Sequence, residues 1–278
     1  DGTFLTSRKE VPEGNLAALD AIYEAGAQFV PCTGRSLAAI PKVLLKHPAA
    51  RYAVSANGAT VTDLSTGKAI HRCDLGHERT RMLLQFAKGR DVTFDLFADG
   101  CVFEHRKTYD RLAEFADDPY QLELMRSIRT PFDGETEAFM TTLEHIERIS
   151  YFWYDPADCA ALLEAVQQVP DITVVRSVSN SIEISDARAT KGEALSWLCS
   201  HLGISRADAV AFGDNINDVS KIEVKGSINN GANEKLDVDT YFTLAGEKNE
   251  KGQKDDIIIK KKGSDKKFDE DEVKNFRQ

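Results

Sequence analysis

Short apolar segments that end in polar, glycine-containing loops are the feature that most constrains the fold of this chain. Residues 209–212 (AVAF) form one such segment, and residues 213–218 (GDNIND) follow it directly. Two carboxylates and two amides at the end of a buried strand are costly unless a cation or a polar network uses them. Their oxygens are hard ligands of the kind that Mg²⁺ prefers. The alternative interpretation is a polar turn with an aspartate cap.

Helices alternate with short apolar strands near both ends of the chain. Apolar residues recur at helical spacing in some segments, whereas others are short apolar runs bounded by turn residues. This alternation predicts an α/β fold in which helices cover both faces of a parallel sheet. The predicted helices cover residues 13–25, 37–45, 191–201 and 215–223, and the predicted strands cover residues 28–32, 52–55 and 209–212.

The middle of the chain, from about residue 77 to 186, has a different pattern. Asp99-Gly100 lies between two apolar runs and predicts a β-hairpin. Hairpins and helices on one sheet predict an α+β domain that is inserted into the first. We therefore expect a discontinuous core domain, residues 1–76 and 187–278, and an inserted domain, residues 77–186. The strands predicted in the insertion cover residues 94–97, 101–105, 147–154, 172–178 and 181–185, with a helix over 157–168.

Charge and cysteine content narrow the functional classes. The formal net charge of −10 disfavours nucleic acid and anionic membranes as partners, because binding phosphates needs clustered Lys and Arg. The five cysteines are dispersed, without a C-x-x-C pair, as is typical of reduced thiols in the cytoplasm. We expect a cytoplasmic protein without a membrane span, which is a monomer or a homodimer.

Three further segments carry groups that suit phosphate binding. Residues 32–36 (CTGRS) place a hydroxyl, a glycine and Arg35 before a predicted helix, whose N-terminal amides favour anions. Lys191 stands at a helix start, where a cation opposes the helix dipole unless an anion is bound nearby. Asp1 precedes Gly-Thr. The alternatives are a helix cap by Thr33 or Ser36, a solvated lysine and an ordinary turn.

Taken together, these segments resemble the motifs of the haloacid dehalogenase (HAD) superfamily. That family has D-x-D-G-T, then a Thr or Ser, then a Lys, then G-D-x-x-N-D, and this chain has DGT, CTGRS, KGEAL and GDNIND in that order. Residues 55–59 (SANGA) resemble a segment of the Cof-type (type IIB) branch. The resemblance covers about residues 1–220. It implies a Rossmann-like parallel-sheet core with an inserted α+β cap of the C2B type, which closes over the substrate and largely sets specificity.

The resemblance also implies an activity. It points to a Mg²⁺-dependent phosphatase that hydrolyses a small phosphorylated metabolite, such as a sugar phosphate, through an aspartyl-phosphate. Asp1 matches the second Asp of D-x-D, which protonates the leaving alcohol and then activates water. The nucleophilic Asp would stand two residues upstream, so the printed chain is expected to be N-terminally truncated and inactive. The alternatives are a sugar phosphomutase-like phosphoryl transferase and a non-catalytic protein that binds a phosphorylated ligand.

The site residues that the resemblance implies fall into three groups. The catalytic residues are Asp1, Thr33 and Lys191. Mg²⁺ would be bound by Asp214, the backbone carbonyl of Asp1 and the missing upstream Asp, with Asp218 as a ligand or as the group that orients a metal-bound water or Lys191. The residues that contact the phosphate are Thr33, Gly34, Arg35, Lys191 and Asn217.

Overall fold

The computed structural model describes residues 4–6, 8–116, 118–176 and 180–212, and the backbone of four short strands beyond them. Internal contacts divide the chain into two compact units, Asp1–Leu195 and Ser196–Gln278. Helices and strands are mixed along the first unit, so the fold is of the predicted α/β kind. The boundaries of the core and the inserted domain stay a prediction.

The described residues include eight α-helices. They are α1 (Glu13–Glu24), α2 (Lys42–Leu45), α3 (His77–Ala87), α4 (Arg106–Tyr109), α5 (Pro119–Ile128), α6 (Thr136–Met140), α7 (Pro156–Val166) and α8 (Lys191–Leu202). Aspartate side chains cap two of them: Asp118 accepts from the Gln121 N–H at 2.8 Å, and Asp155 accepts from the Ala157 N–H at 2.9 Å. Within the described part of the chain, no helix has the length and apolar character needed to span a membrane.

The strands that the structure describes pair in four sheets. They are β1 (Tyr52–Ser55), β2 (Thr60–Asp63), β3 (Lys68–Arg72), β4 (Asp95–Ala98), β5 (Cys101–His105), β6 (Arg129–Phe132), β7 (Ile146–Phe152), β8 (Ile172–Val175), β9 (Ser181–Asp186), β10 (Ser227–Asn229), β11 (Lys235–Asp237), β12 (Leu244–Ala245) and β13 (Ile258–Ile259). Strands β1, β2 and β3 form an antiparallel sheet, and β10–β11 and β12–β13 are antiparallel pairs.

The largest sheet has six strands in the order β6-β5-β4-β7-β9-β8. Only β5 and β6 pair in parallel, and the other neighbours are antiparallel. Alternate side chains on one face, including Leu96, Ile149 and Ile184, are fully buried in the main apolar core. The intervening positions carry charged residues, among them Arg148 and Glu183, so the opposite face of this sheet is polar.

Several predicted elements are present in the structure where the sequence carries a strong local signal. The predicted hairpin forms at Asp99 and Gly100, whose φ angles of 49° and 77° match the positive values that such a turn requires. The helix predicted over 13–25 is present as α1, and the helix predicted over 191–201 is present as α8.

The helix predicted over 37–45 was wrong in extent. Residues Leu37–Ala39 form one 3-10 turn, and α2 starts only at Lys42. Pro41 separates the two, because a proline has no N–H and drives the preceding residue out of the helical region. Accordingly, Ile40 is extended, with ψ of 135°.

Two predicted strands are not formed as expected. Residues 28–32 make only a single bridge, between Cys32 and Val54, and Pro31 within the run has no N–H to extend the ladder. Residues 209–212 are irregular, and Val210 and Phe212 are 79% and 84% exposed. A buried strand needs neighbours on both sides, and residues 209–212 pair with none of the described strands of their own unit. The predicted helix over 215–223 lies outside the described residues.

Candidate active site

The predicted phosphate-binding segment begins beside β1. Cys32 forms a parallel bridge with Val54. The Val54 N–H donates to the Pro31 carbonyl at 2.8 Å, and the Thr33 N–H donates to the Val54 carbonyl at 3.0 Å. Thr33 is 8% exposed. The loop from Thr33 onward therefore starts at the carboxyl end of two parallel segments, which is where ligands bind in open α/β folds.

The turn that follows β1 packs against this loop. Residues Ala56–Gly58 form a 3-10 turn in which Asn57 has a φ of 61°. A Cβ atom added to Gly34 would lie only 2.7 Å from Oδ1 of Asn57. Because only glycine lacks that atom, the glycine allows the two loops to approach this closely.

The same turn also touches the start of α8. Gly58 has a φ of 103°, and a Cβ atom there would lie 2.2 Å from the Thr190 carbonyl oxygen and 2.9 Å from the Lys191 nitrogen. The backbone at Lys191 is therefore in direct contact with the loop that touches Gly34. The structure thus brings together three predicted segments that are far apart in sequence, while the catalytic roles of Thr33 and Lys191 stay predictions.

Hydrogen bonds fix the peptide groups on both sides of Gly34. The Thr33 carbonyl accepts from the Asn57 N–H at 3.1 Å, and the Gly34 carbonyl accepts from Nη2 of Arg148 at 2.8 Å. In a trans peptide the N–H points opposite to the carbonyl, so the Gly34 N–H faces away from Asn57. Among the described residues no acceptor bonds this N–H. Its orientation suits one oxygen of an anion.

Arg148 and Glu183 reach the loops from the polar face of the six-stranded sheet. Nη1 of Arg148 lies 3.4 Å from Oε2 of Glu183, and the same carboxylate oxygen accepts from Nδ2 of Asn57 at 2.6 Å. Arg148 also donates to Oγ of Ser150 at 2.7 Å and stacks over Phe97, 3.4 Å from the ring centroid. Burial lowers the pKa of Arg148 and Glu183 opposes that shift, and an arginine remains cationic at neutral pH.

Arg35 is half-buried beside the same loop. Its Nη1 donates to the Ala39 carbonyl at 3.2 Å. Burial lowers the pKa of its guanidinium, and Tyr120 partly offsets the effect. A guanidinium has five N–H donors in a planar fork, a geometry that suits a phosphate. The predicted contact between Arg35 and a phosphate stays a prediction.

The predicted metal ligands lie outside the described residues. These are Asp1, Asp214 and Asp218, and Asn217 lies outside as well. The carboxylates are hard oxygen donors, so the residue types fit Mg²⁺. In the described part of the chain no cluster of three or more His, Cys, Asp or Glu side chains is arranged to hold a metal ion.

Comparison with known proteins places the chain in a family. Residues 1–230 match the haloacid dehalogenase-like hydrolases. The chain belongs to this family. Phosphatase YwpJ of Bacillus subtilis is 24% identical over 254 residues, 81% of this chain and 85% of the relative. The 5-amino-6-(5-phospho-D-ribitylamino)uracil phosphatase YwtE of the same organism is 25% identical over 277 residues, 90% of this chain and 92% of the relative.

Solved structures of the HAD family have the same fold. A haloacid dehalogenase-like hydrolase from B. subtilis aligns with a TM-score of 0.67 at 23% identity, covering 81% of this chain and 85% of that one. A HAD subclass IIB sugar phosphatase aligns with a TM-score of 0.65 at 16% identity, covering 81% of this chain and 83% of that one. The predicted membership of the Cof-type HAD phosphatases and the predicted α/β class are therefore confirmed.

Sequence analysis did not identify Arg148 or Glu183 as site residues. A signal was present at Glu183, a charged residue between Ile182 and Ile184, whereas Arg148 follows another charged residue, Glu147. Such alternation indicates a second, polar face of the sheet. It does not tell which loop that face contacts.

Proposed function

We propose that the protein is a Mg²⁺-dependent phosphatase that hydrolyses a small phosphorylated metabolite through an aspartyl-phosphate. The contact between Gly58 and the start of α8 carries this proposal, because it joins the Lys191 backbone to the loops beside Thr33. A hydroxyl, backbone amides and a lysine are the groups that stabilise a phosphoryl group during transfer. Family membership supports the same chemistry.

In this proposal the protein holds the phosphoryl oxygens with three groups. They are the Thr33 hydroxyl, the Gly34 N–H and the Lys191 amine, with Arg35 and Asn217 as further donors. Lys191 also offsets the negative charge that accumulates when a carboxylate attacks a phosphate.

Asp1 serves as the general acid and then as the general base. As an acid it gives its proton to the oxygen of the leaving alcohol, and as a base it takes a proton from the water that attacks the acyl phosphate. The nucleophilic carboxylate would stand two residues before Asp1, and hydrolysis regenerates it. Asp214, the backbone carbonyl of Asp1 and Asp218 would hold Mg²⁺, which would supply positive charge that lowers the repulsion between carboxylate and phosphate.

The relatives and the polarity of the site support a substrate class for this proposal. HMP-PP phosphatase of Yersinia pseudotuberculosis is 26% identical over 218 residues, 78% of this chain and 76% of the relative. We propose a small polar phosphate ester, such as a sugar phosphate, as the substrate. A cytoplasmic location is part of the proposal and rests on the five free cysteines. A monomer or a homodimer is expected, without a nucleic-acid or membrane partner.

A phosphatase screen tests the proposal. The protein, including an aspartate two residues before Asp1, is incubated with a panel of phosphorylated metabolites with and without Mg²⁺, and released phosphate is measured. The panel contains hexose and pentose phosphates, HMP-PP and the ribitylaminouracil phosphate. We expect phosphate release from at least one ester, only with the metal. Isomerised sugar phosphate without phosphate release would indicate a phosphomutase, and saturable binding without either would indicate a binding protein.

A further inference from the structure

We propose that Arg148 is a positioning residue for the phosphate loop, defined as residues 33–36. From strand β7 it holds the Gly34 carbonyl, and it thereby fixes the peptide whose N–H orients the Thr33 hydroxyl. The inference rests on the proposed function, because it assumes that this loop binds the phosphoryl group.

The geometry links Arg148 to Thr33 through one peptide group. Nη2 of Arg148 donates to the Gly34 carbonyl at 2.8 Å, across 114 positions of sequence. The N–H of that same peptide belongs to Arg35, and it donates to Oγ1 of Thr33 at 3.2 Å. A hydrogen bond that a hydroxyl oxygen accepts restricts the directions in which the same hydroxyl can donate. The Arg35 N–H therefore sets the direction in which the Thr33 hydroxyl can donate.

Arg148 itself is held rigidly. It is 3% exposed, its guanidinium stacks on Phe97, and Ser150 and Glu183 bind its other terminal nitrogen. The planar guanidinium of Arg148 has N–H donors in fixed directions, so it can donate to the Gly34 carbonyl and to the Ser150 hydroxyl at once. A lysine amine lacks this geometry. The Gly34 carbonyl is thus held by a guanidinium whose own position is fixed by its neighbours.

Gly34 explains why the loop needs such support. Glycine has the widest choice of backbone conformations, and a larger residue at this position would require the Asn57 side chain to shift. Without Arg148 the Gly34 carbonyl would lose its hydrogen bond, although the Arg35 carbonyl would still accept from the Ala56 N–H at 2.8 Å. The peptide between Gly34 and Arg35 would then be held less firmly, and so would the N–H that orients Thr33. Displacement of a reacting group by about 1 Å can cost on the order of 100-fold in rate.

The positioning role of Arg148 is tested with two substitutions, Arg148→Lys and Arg148→Met. Affinity for inorganic phosphate is measured by calorimetry, and kcat and KM are measured on the best substrate of the screen. We expect both variants to bind phosphate on the order of 10- to 100-fold more weakly and to lose kcat to a similar degree. Recovery of most of the phosphate affinity in Arg148→Lys would overturn the proposal, because charge alone would then suffice.

Arg129→Met is the matched control. Arg129 is also a buried arginine on a strand of the same sheet, but it pairs with Asp95 and contacts no residue of the phosphate loop. The Arg129→Met substitution should lower the folded fraction, while the folded molecules keep their phosphate affinity. If Arg148→Met also leaves phosphate affinity unchanged, the role of Arg148 is purely structural and the proposal is wrong.

A double-mutant cycle with Thr33→Ala tests whether Arg148 acts through the Thr33 hydroxyl. If Arg148 acts through the Thr33 hydroxyl, Arg148→Lys should change kcat/KM by less than about threefold in the Thr33→Ala background. Full additivity of the two losses contradicts that route.

Phosphate affinity also separates this inference from the proposed function. A protein that binds phosphate but hydrolyses no ester disproves the phosphatase, while the comparison of phosphate affinities still tests Arg148. A protein that neither hydrolyses esters nor binds phosphate overturns both.

Discussion

Asn57 donates a hydrogen bond from Nδ2 to Oε2 of Glu183 at 2.6 Å, across 126 positions of sequence. Asn57 lies in the turn that touches Gly34, and Glu183 lies on the polar face of the six-stranded sheet. The same Glu183 oxygen is 3.4 Å from Arg148. One carboxylate therefore connects the sheet to the turn and to the arginine that holds the neighbouring loop.

We expect Asn57 and Glu183 to be energetically coupled. Asn57→Gly removes the donor and tolerates the positive φ, and Glu183→Ala removes the acceptor. A double-mutant cycle of unfolding free energies in urea should give a coupling energy of about 1.5 to 3 kcal/mol, as expected for a hydrogen bond to a charged group. Glu183→Gln retains an acceptor and should lose less stability than Glu183→Ala. A coupling energy near zero would contradict the bond.

Gly58→Ala should disrupt the contact between the turn and α8. The new Cβ would overlap the Thr190 carbonyl, and the φ of 103° is unfavourable for alanine. We expect a loss of about 3 kcal/mol or more in the free energy of unfolding, measured in urea. Gly67→Ala is the control, because Gly67 has a φ of 68° but open space around it, and its loss should be about 1 kcal/mol. Equal losses would show that the packing at Gly58 is unimportant.

Local chemistry explains which elements were predictable. The Asp99-Gly100 hairpin and helix α1 follow from signals contained within their own residues, namely turn residues with positive φ and apolar spacing. The break at Pro41 was equally local, but the prediction of a helix over 37–45 did not take this proline into account. The strands at 28–32 and 209–212 depend on neighbours that apolar character alone does not supply.

The candidate site was predictable only in part, for a related reason. Motif order identified Thr33, Gly34 and Lys191, and the structure brings their backbones to one place through Gly58. Sequence analysis missed Arg148 because its role depends on a hydrogen bond to Gly34, which is 114 positions away in sequence. Spacing within a strand gives the face on which a side chain lies, but the loop that covers that face is a tertiary property.

Asp214→Asn tests the proposed metal site. The amide keeps the size of the side chain but removes the negative charge that a divalent cation needs. In the protein that includes the upstream aspartate, Mg²⁺-dependent turnover should fall below detection, while circular dichroism and the urea midpoint remain close to those of the parent protein. Near-normal turnover would remove Asp214 from the metal site.

Lys191→Ala should reduce kcat by about 100-fold or more, the scale of losing one positioned electrostatic contact to the reacting group. Lys68→Ala is the matched control, since Lys68 is an exposed lysine on β3 and should leave kcat unchanged. The rates are measured at saturating substrate and Mg²⁺. A loss of tenfold or less would make Lys191 peripheral to the reaction.

Glu104 lies in a buried charged group on the sheet that carries Arg148. It is fully buried, and its carboxyl oxygens accept from the Phe94 N–H at 3.3 Å and the His105 N–H at 2.8 Å. Burial and the neighbouring carboxylate of Asp95 raise the pKa of Glu104 well above its ordinary range. The folded protein therefore retains a proton that the unfolded chain releases.

Stability should accordingly fall as pH rises above the ordinary glutamate pKa of about 4.3, because the unfolded state then binds fewer protons than the folded state. The loss continues until the pH passes the raised pKa of the folded protein. Glu104→Gln mimics the protonated carboxyl, so at pH 8 it should be more stable than the parent protein by about 1 to 3 kcal/mol. At pH 4 the two should be similar. Urea unfolding from pH 4 to 8 measures the difference, with Glu164→Gln on the exposed side of α7 as the control. A constant difference across this range would show that Glu104 does not retain its proton.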